Sequence, residues 1–142
     1  GSGAHYPGMG LELGAWFPEV MRAQDAATAT LAGQLRPAAL APWRLTWPTG
    51  WEDEVQAGLA GQHQALLLGQ VGFGAITHDL VQRFGPRPAA VIGYCLGETA
   101  GFVATRTWTD RDELYHRMAG SPLFTCASHC ALSNWTCSMA RR

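Results

Sequence analysis

No stretch of this 142-residue chain reaches the roughly eighteen continuous apolar residues that a membrane span requires. The longest candidate, Ala65 to Leu80, is broken by Gln70, Gly72, Gly74, Thr77, His78 and Asp79. Charge is sparse too. Charged residues make up 15% of the chain, the net charge is −1 and there is no basic block, so nucleic acid is not an expected partner. The opening residues Gly1-Ser2-Gly3-Ala4-His5 have no basic end leading into an apolar core, and no signal peptide is expected. Internal repeats and low-complexity tracts are absent. There is also no C-x-x-C pair: Cys95 stands alone, and Cys126, Cys130 and Cys137 lie in the tail. Cys126-x-x-His129-Cys130 with Cys137 is only loosely metal-like, so the expectation is reduced thiols in a cytoplasmic protein, with no metal and no cofactor.

What is present is a hydrophobic content of 47%, ordinary for a packed core, in a chain the length of one domain or part of one. Gly1 to Gly10 is a glycine-rich loop with Pro7 fixing a turn. A helix is expected from about Leu11, its first part ended by Pro18. A second, Glu19 to Gln34, would carry Val20, Ala23, Ala27 and Leu31 on one stripe. Arg36 to Gly50, with Pro37, Pro42 and Pro48, reads as an irregular loop packed down by Trp43 and Trp47, with ligand stacking by these tryptophans the alternative. Trp51 to Ala60 is a short helix, and Gln62 to Phe84 is the best helix of the chain. Gly69, Gly72 and Gly74 each weaken that helix by about 1 kcal/mol, which makes sense if another element packs very closely. Gly85-Pro86-Arg87-Pro88 stops it, and a strand is expected over Ala89 to Tyr94. A helix follows from Glu98 to Ala104. Thr109-Asp110-x-x-Glu113 then starts a further helix to about Met118, broken by Ser121-Pro122. The order helix, turn, strand, turn, helix predicts an α/β fold with a parallel central sheet.

The pentad Gly93-Tyr94-Cys95-Leu96-Gly97 sits where the apolar run meets the next helix. Strand, Gly-x-nucleophile-x-Gly, helix is the pattern of a nucleophile elbow. The turn is so tight that its central residue takes a strained backbone conformation and the flanking positions must be glycine. A helix N-terminus directly behind Cys95 favours negative charge on a developing oxyanion. The alternative is a small buried cysteine in a plain strand-to-helix turn.

Gly93-Tyr94-Cys95-Leu96-Gly97-Glu98 resembles the Gly-His-Ser-x-Gly-Glu elbow of acyl-CoA:acyl-carrier-protein transacylases, among them the acyltransferase domains of fatty-acid and polyketide synthases. Gly1-Ser2-Gly3-Ala4-His5 resembles the family's Gly-Gln-Gly-Ser-Gln loop, continued by Tyr6-Pro7-Gly8-Met9-Gly10. Gln62-His63-Gln64-Ala65 looks like the opening of the helix before the elbow, and Phe84-Gly85-Pro86-Arg87-Pro88-Ala89 like the turn into the nucleophile strand. The variant loop, the tyrosine before the nucleophile and Ser121-Pro122-Leu123-Phe124-Thr125 look closest to the polyunsaturated-fatty-acid-synthase branch. The resemblance implies a partial hydrolase-like three-layer core with a short parallel sheet, truncated, over residues 1–125, with 126–142 an unassigned tail. It implies acyl transfer from acyl-CoA to the phosphopantetheine thiol of an acyl carrier protein, within the remainder of a multidomain synthase. Cys95 would be the nucleophile, and the backbone N–H groups of Leu96 and Ser2 the oxyanion hole. Gly3, His5 and Tyr94 would line the substrate site, with Gly93, Gly97 and Glu98 building the elbow.

The chain departs from that family in four places. Cysteine replaces serine at position 95. The family's general-base histidine lies far downstream, and His63, His78, His116 and His129 stand in unlike contexts; His78 and His116 read as solvent-facing helix residues. The register of the arginine that holds a malonyl carboxylate reads Met118-Ala119-Gly120-Ser121, with Arg117 out of step as an exposed helix charge, so a monocarboxylic acyl group fits better. After Thr125 the resemblance stops, which suggests a fragment inactive in isolation. Two rival readings stand beside it: a dienelactone-hydrolase-like cysteine α/β-hydrolase, and a non-catalytic docking remnant of a synthase.

Overall fold

The computed structural model describes residues 4–40 and 42–122. Their regular structure is helical: α1 (Leu11–Trp16), α2 (Pro18–Ala27), α3 (Leu31–Leu35), α4 (Pro37–Leu40), α5 (Trp51–Leu59), α6 (His63–Arg83), α7 (Leu96–Ala104) and α8 (Arg111–Ala119). The expected α/β fold with a parallel sheet is therefore corrected: among the described residues there is no strand and no sheet. The physical reason lies at 89–94. That apolar run is non-helical, but among the described residues no strand pairs with it, and a segment without a partner exchanges no cross-strand hydrogen bonds. Val91, Ile92 and Tyr94 are consequently exposed, Ile92 at 99%.

The organising element is α6. It is apolar around most of its circumference and buries Ala65, Leu66, Leu68, Val71, Ala75 and Ile76, as a central helix must. Its N-terminal half closes one core cluster with Met9, Leu40, Val55 and Leu59. Its C-terminal half closes a second through Val71 and Ala75, with Val103 of α7 and Leu114 of α8. Burying each such valine or leucine is worth about 1.5–3 kcal/mol. The glycines of α6 mark close approaches. A Cβ on Gly72 would come within 2.6 Å of Leu35 Cδ2, and one on Gly74 within 3.4 Å of Ala100 Cβ. Glycine here lets α3 and α7 lie against the helix, which offsets its poor helix propensity.

Three further expectations are corrected. The single helix over 19–34 is two, α2 and α3, broken at Thr28 in extended geometry. Its buried face is Val20, Gln24, Thr28, Leu31 and Gln34, whereas Ala23 and Ala27 are exposed. Apolar periodicity missed this because the face is built on polar side chains. Arg111 donates through Nη1 to Gln24 and through Nη2 to Gln34 Oε1 at 2.9 Å. Asp112 accepts from the hydroxyls of Thr28 and Thr30 and from the N–H groups of Ala29 and Thr30, both at 3.0 Å. These bonds pin the α2–α3 break to the start of α8. Second, Trp43 does not pack its loop down: it is 82% exposed, whereas Trp47 makes a ring contact, edge-on with Trp51 at 4.6 Å. Third, His78 does not face solvent. It is half-buried, 3.5 Å from Asp79 Oδ1 and 3.2 Å from Gln82 Nε2.

Candidate functional site

The elbow is a local structure and can be built from its own residues. α6 ends at Arg83, and Gly85 at φ 98° turns the chain through the proline pair into 89–94. Tyr94-Cys95-Leu96-Gly97 then makes a tight turn closed by a hydrogen bond from Gly97 N–H to the Tyr94 carbonyl at 3.0 Å. Cys95, at φ 56° and ψ −124°, has the dihedrals of the first central residue of a type II′ turn, a position that glycine dominates. The two other described non-glycine residues with positive φ are Arg36 and Arg106. Arg36, with ψ 57°, is ordinary left-handed helix, whereas Cys95 lies outside that region. Holding a side chain there costs about 1–3 kcal/mol, a strain that collects at functional sites.

Gly93 permits the turn. A Cβ on it would overlap Gly97 O and Glu98 N and come within 2.5 Å of Glu98 Cα. Gly97 has open space at its own Cβ position, so steric need falls on the glycine two residues before the cysteine and not on the one after. Behind the turn α7 starts at once with Cys95 as its N-cap. Glu98 N–H is taken by the Cys95 carbonyl at 3.0 Å and Gly97 N–H by Tyr94. The Leu96 N–H is the first-turn donor left without such a backbone bond among the described residues. It belongs to the residue that follows Cys95, at the N-terminus of α7. Cys95 itself is exposed and makes no disulfide, which removes the alternative of a small buried thiol.

Packing fixes the elbow to the body. Leu96 and Ala100 rest on the cluster of Val71, Ala75, Val103 and Leu114, and Gly101 brings α7 onto the extended run, where its Cβ position lies 3.0 Å from Val91 Cγ1. Between that run and α7 opens a cleft of about 570 Å³ lined by 88–93, Glu98, Gly101, Phe102, Thr105 and Thr107. It reaches Gly93 and Glu98 of the elbow. Cys95 and Tyr94 are not among its walls, and Tyr94 is 92% exposed.

Of the remaining expected site residues, Ser2 and Gly3 lie outside the described residues, as do Cys126, His129, Cys130 and Cys137 of the tail. His5 is drawn onto α5, its Nε2 3.1 Å from Gln56 Nε2. The loop it belongs to packs on α5 and α6, with Gly8 N–H donating to the Leu40 carbonyl. Arg117, 72% exposed, is engaged by Glu113 one helical turn back at 2.6 Å. Among the described residues there is no cluster of three or more histidine, cysteine or acidic side chains fit for a metal, and no helix long and apolar enough to cross a membrane. Sequence reasoning missed a second cleft of about 820 Å³, between the 6–10 loop, Trp47, Trp51 and α6. Its signal was the spacing of Trp47 and Trp51, one turn apart around Gly50. Comparison of the chain with family models, with curated proteins and with solved structures finds no match to any of them.

Proposed function

We propose that the chain is part of an acyltransferase domain that carries an acyl group on Cys95 between acyl-CoA and the phosphopantetheine thiol of an acyl carrier protein, in a cytoplasmic fatty-acid or polyketide synthase. The observation that carries this reading is the backbone of Cys95: a strained II′ turn, permitted by Gly93, that presents a free sulfur at the N-terminus of α7. Cys95 Sγ adds to the thioester carbonyl, the carbonyl oxygen takes up the negative charge beside Leu96 N–H, and the C–S bond to coenzyme A breaks. The thiol proton of Cys95 leaves with the departing CoA thiol. In the second half the carrier thiol repeats the exchange and regenerates Cys95. Each half converts one thioester into another, so the energy of the acyl bond is kept. The engagement of Arg117 by Glu113 supports a monocarboxylic acyl group over a malonyl one, because no arginine is left free in that register to hold a second carboxylate.

The test is intact-mass analysis of the chain after incubation with octanoyl-CoA, beside Cys95→Ala. The expected result is one octanoyl adduct that is absent from the variant. Hydrolysis of a dienelactone or simple ester, without transfer, would favour a cysteine hydrolase. A folded protein that takes up no acyl group would favour a non-catalytic docking role in a synthase.

A further inference from the structure

The cleft between the 6–10 loop and α6 lies apart from the elbow. It is walled by two edge-on aromatic pairs. Trp47 and Trp51 meet at 4.6 Å and 70°, and Tyr6 and Phe73 at 6.5 Å and 87°. The pairs are held in place from below by backbone. Gly8 and Gly10, at φ 80° and 85°, carry the loop so close that their Cβ positions lie 3.8 Å from Trp51 Cη2 and 3.5 Å from Phe73 Cδ2. Positive φ at both positions lets the loop fold down onto the rings, and a side chain there would be strained. Tyr6 and Trp47 are about half exposed, so aromatic surface faces the opening. The cavity measures about 820 Å³, within the range of small-molecule sites. Among the described residues its sole charged wall is Glu12, an exposed carboxylate in the first turn of α1.

We infer that this cleft binds an organic cation, a quaternary or alkylated ammonium group. Aromatic faces carry negative potential at their centres, and four aromatic side chains, Tyr6, Trp47, Trp51 and Phe73, line this one cleft. A carboxylate at the rim with no arginine in the walls gives the cleft one sign of charge, which a neutral lipid chain does not need and an anion would oppose. The inference does not depend on the acyl-transfer reading of Cys95.

The experiment titrates the ¹⁵N-labelled chain with choline and, separately, with 3,3-dimethylbutan-1-ol, its uncharged isostere. The indole N–H signals of Trp47 and Trp51 are assigned by Trp47→Phe and Trp51→Phe. Choline is expected to move both signals and to bind about tenfold more tightly than the alcohol. Glu12→Gln is expected to weaken choline about fivefold and leave the alcohol unchanged. Glu12 is exposed, so this variant keeps the remaining spectrum as a check of its fold. Equal affinity for the two ligands would identify the cleft as a plain apolar pocket and overturn the proposal. So would shifts confined to other residues, no shift with choline, or a Glu12→Gln protein that binds choline as before.

Discussion

Replacing Gly93 by alanine tests the elbow directly. The new Cβ would sit 2.5 Å from Glu98 Cα, about 0.9 Å short of the 3.4 Å at which ordinary contact begins, and would overlap Gly97 O and Glu98 N as well. All three neighbours are backbone, so no side chain can swing aside. The relief available is to unwind the first turn of α7. That breaks the hydrogen bonds from Gly97 to Tyr94 and from Glu98 to Cys95, worth about 1 kcal/mol each. It also lifts Leu96 off the α6–α8 cluster, worth about another 1 kcal/mol of its burial. The expected destabilisation is about 3 kcal/mol, or a fall in Tm of roughly 6–12 °C for a chain of this size. Cys95→Gly should act in the opposite direction. It releases about 1–3 kcal/mol of backbone strain and returns about 0.5–1 kcal/mol of that through the freer unfolded chain, for a net gain near 1 kcal/mol. The assay is urea and thermal unfolding followed by circular dichroism, with amide exchange reporting on α7. A Gly93→Ala protein that melts with the parent and keeps its α7 protection refutes the close approach on which the site rests. A Cys95→Gly protein less stable than the parent refutes the strain.

Asp112 and Arg111 give two further expectations. Hydrogen bonds from Thr28, Thr30 and the Ala29 amide hold the Asp112 carboxyl far below its ordinary value of 3.8. A depressed folded-state pKa contributes stability that is fully present above the unfolded value and is lost as pH falls from about 4 toward the folded one. Asp112→Asn should therefore lower stability at neutral pH and flatten the acid limb of a stability-against-pH curve below pH 4; an unchanged acid limb refutes the assignment. Arg111 is 5% exposed, with Nε lacking a partner among the described residues, and burial together with Arg106 lowers its pKa from the usual arginine range. Arg111→Met removes a buried charge but strands the Gln24 and Gln34 side-chain oxygens, each costing about 1–3 kcal/mol, so a net loss of about 2 kcal/mol is expected in urea unfolding. A gain in stability would show that the cation costs more than its bonds return.

Helices were legible where periodicity and punctuation agreed. α6 was expected over 62–84 and runs His63–Arg83; α8 starts at the expected aspartate cap, with Asp110 accepting from Glu113 N–H at 2.8 Å. The turn at Cys95 was legible through Gly93, whose lack of a side chain is a steric requirement independent of what the preceding run pairs with, whereas Gly97 carried no such requirement. The sheet was not, because Ala89 to Tyr94 shows only that a strand is suitable there. Pairing depends on a second strand, which a single apolar run cannot report. The face of α2 and α3 was misread for a different reason: Gln24, Thr28 and Gln34 are buried because Arg111 and Asp112, over seventy residues on, satisfy them. The aromatic cleft escaped because its walls come from three segments that only the packing of the 6–10 loop brings together.

The elbow keeps its strained shape without a sheet because α7 anchors it. Strain of about 1–3 kcal/mol at Cys95 is opposed by Leu96, Ala100 and Val103, which rest on Val71, Ala75 and Leu114; full burial of Val103 alone returns a comparable amount. Gly74 and Gly101 extend this anchoring, the first admitting Ala100 and the second Val91. Among the described residues the 89–94 run meets α7 through Val91, while Ile92 and Tyr94 are exposed. The anchoring that shapes the turn at Cys95 therefore runs through α7 and its cluster, and not through residues 92–94. Changes at Ile92 should bear on association, and changes at Gly93 on the geometry of the sulfur.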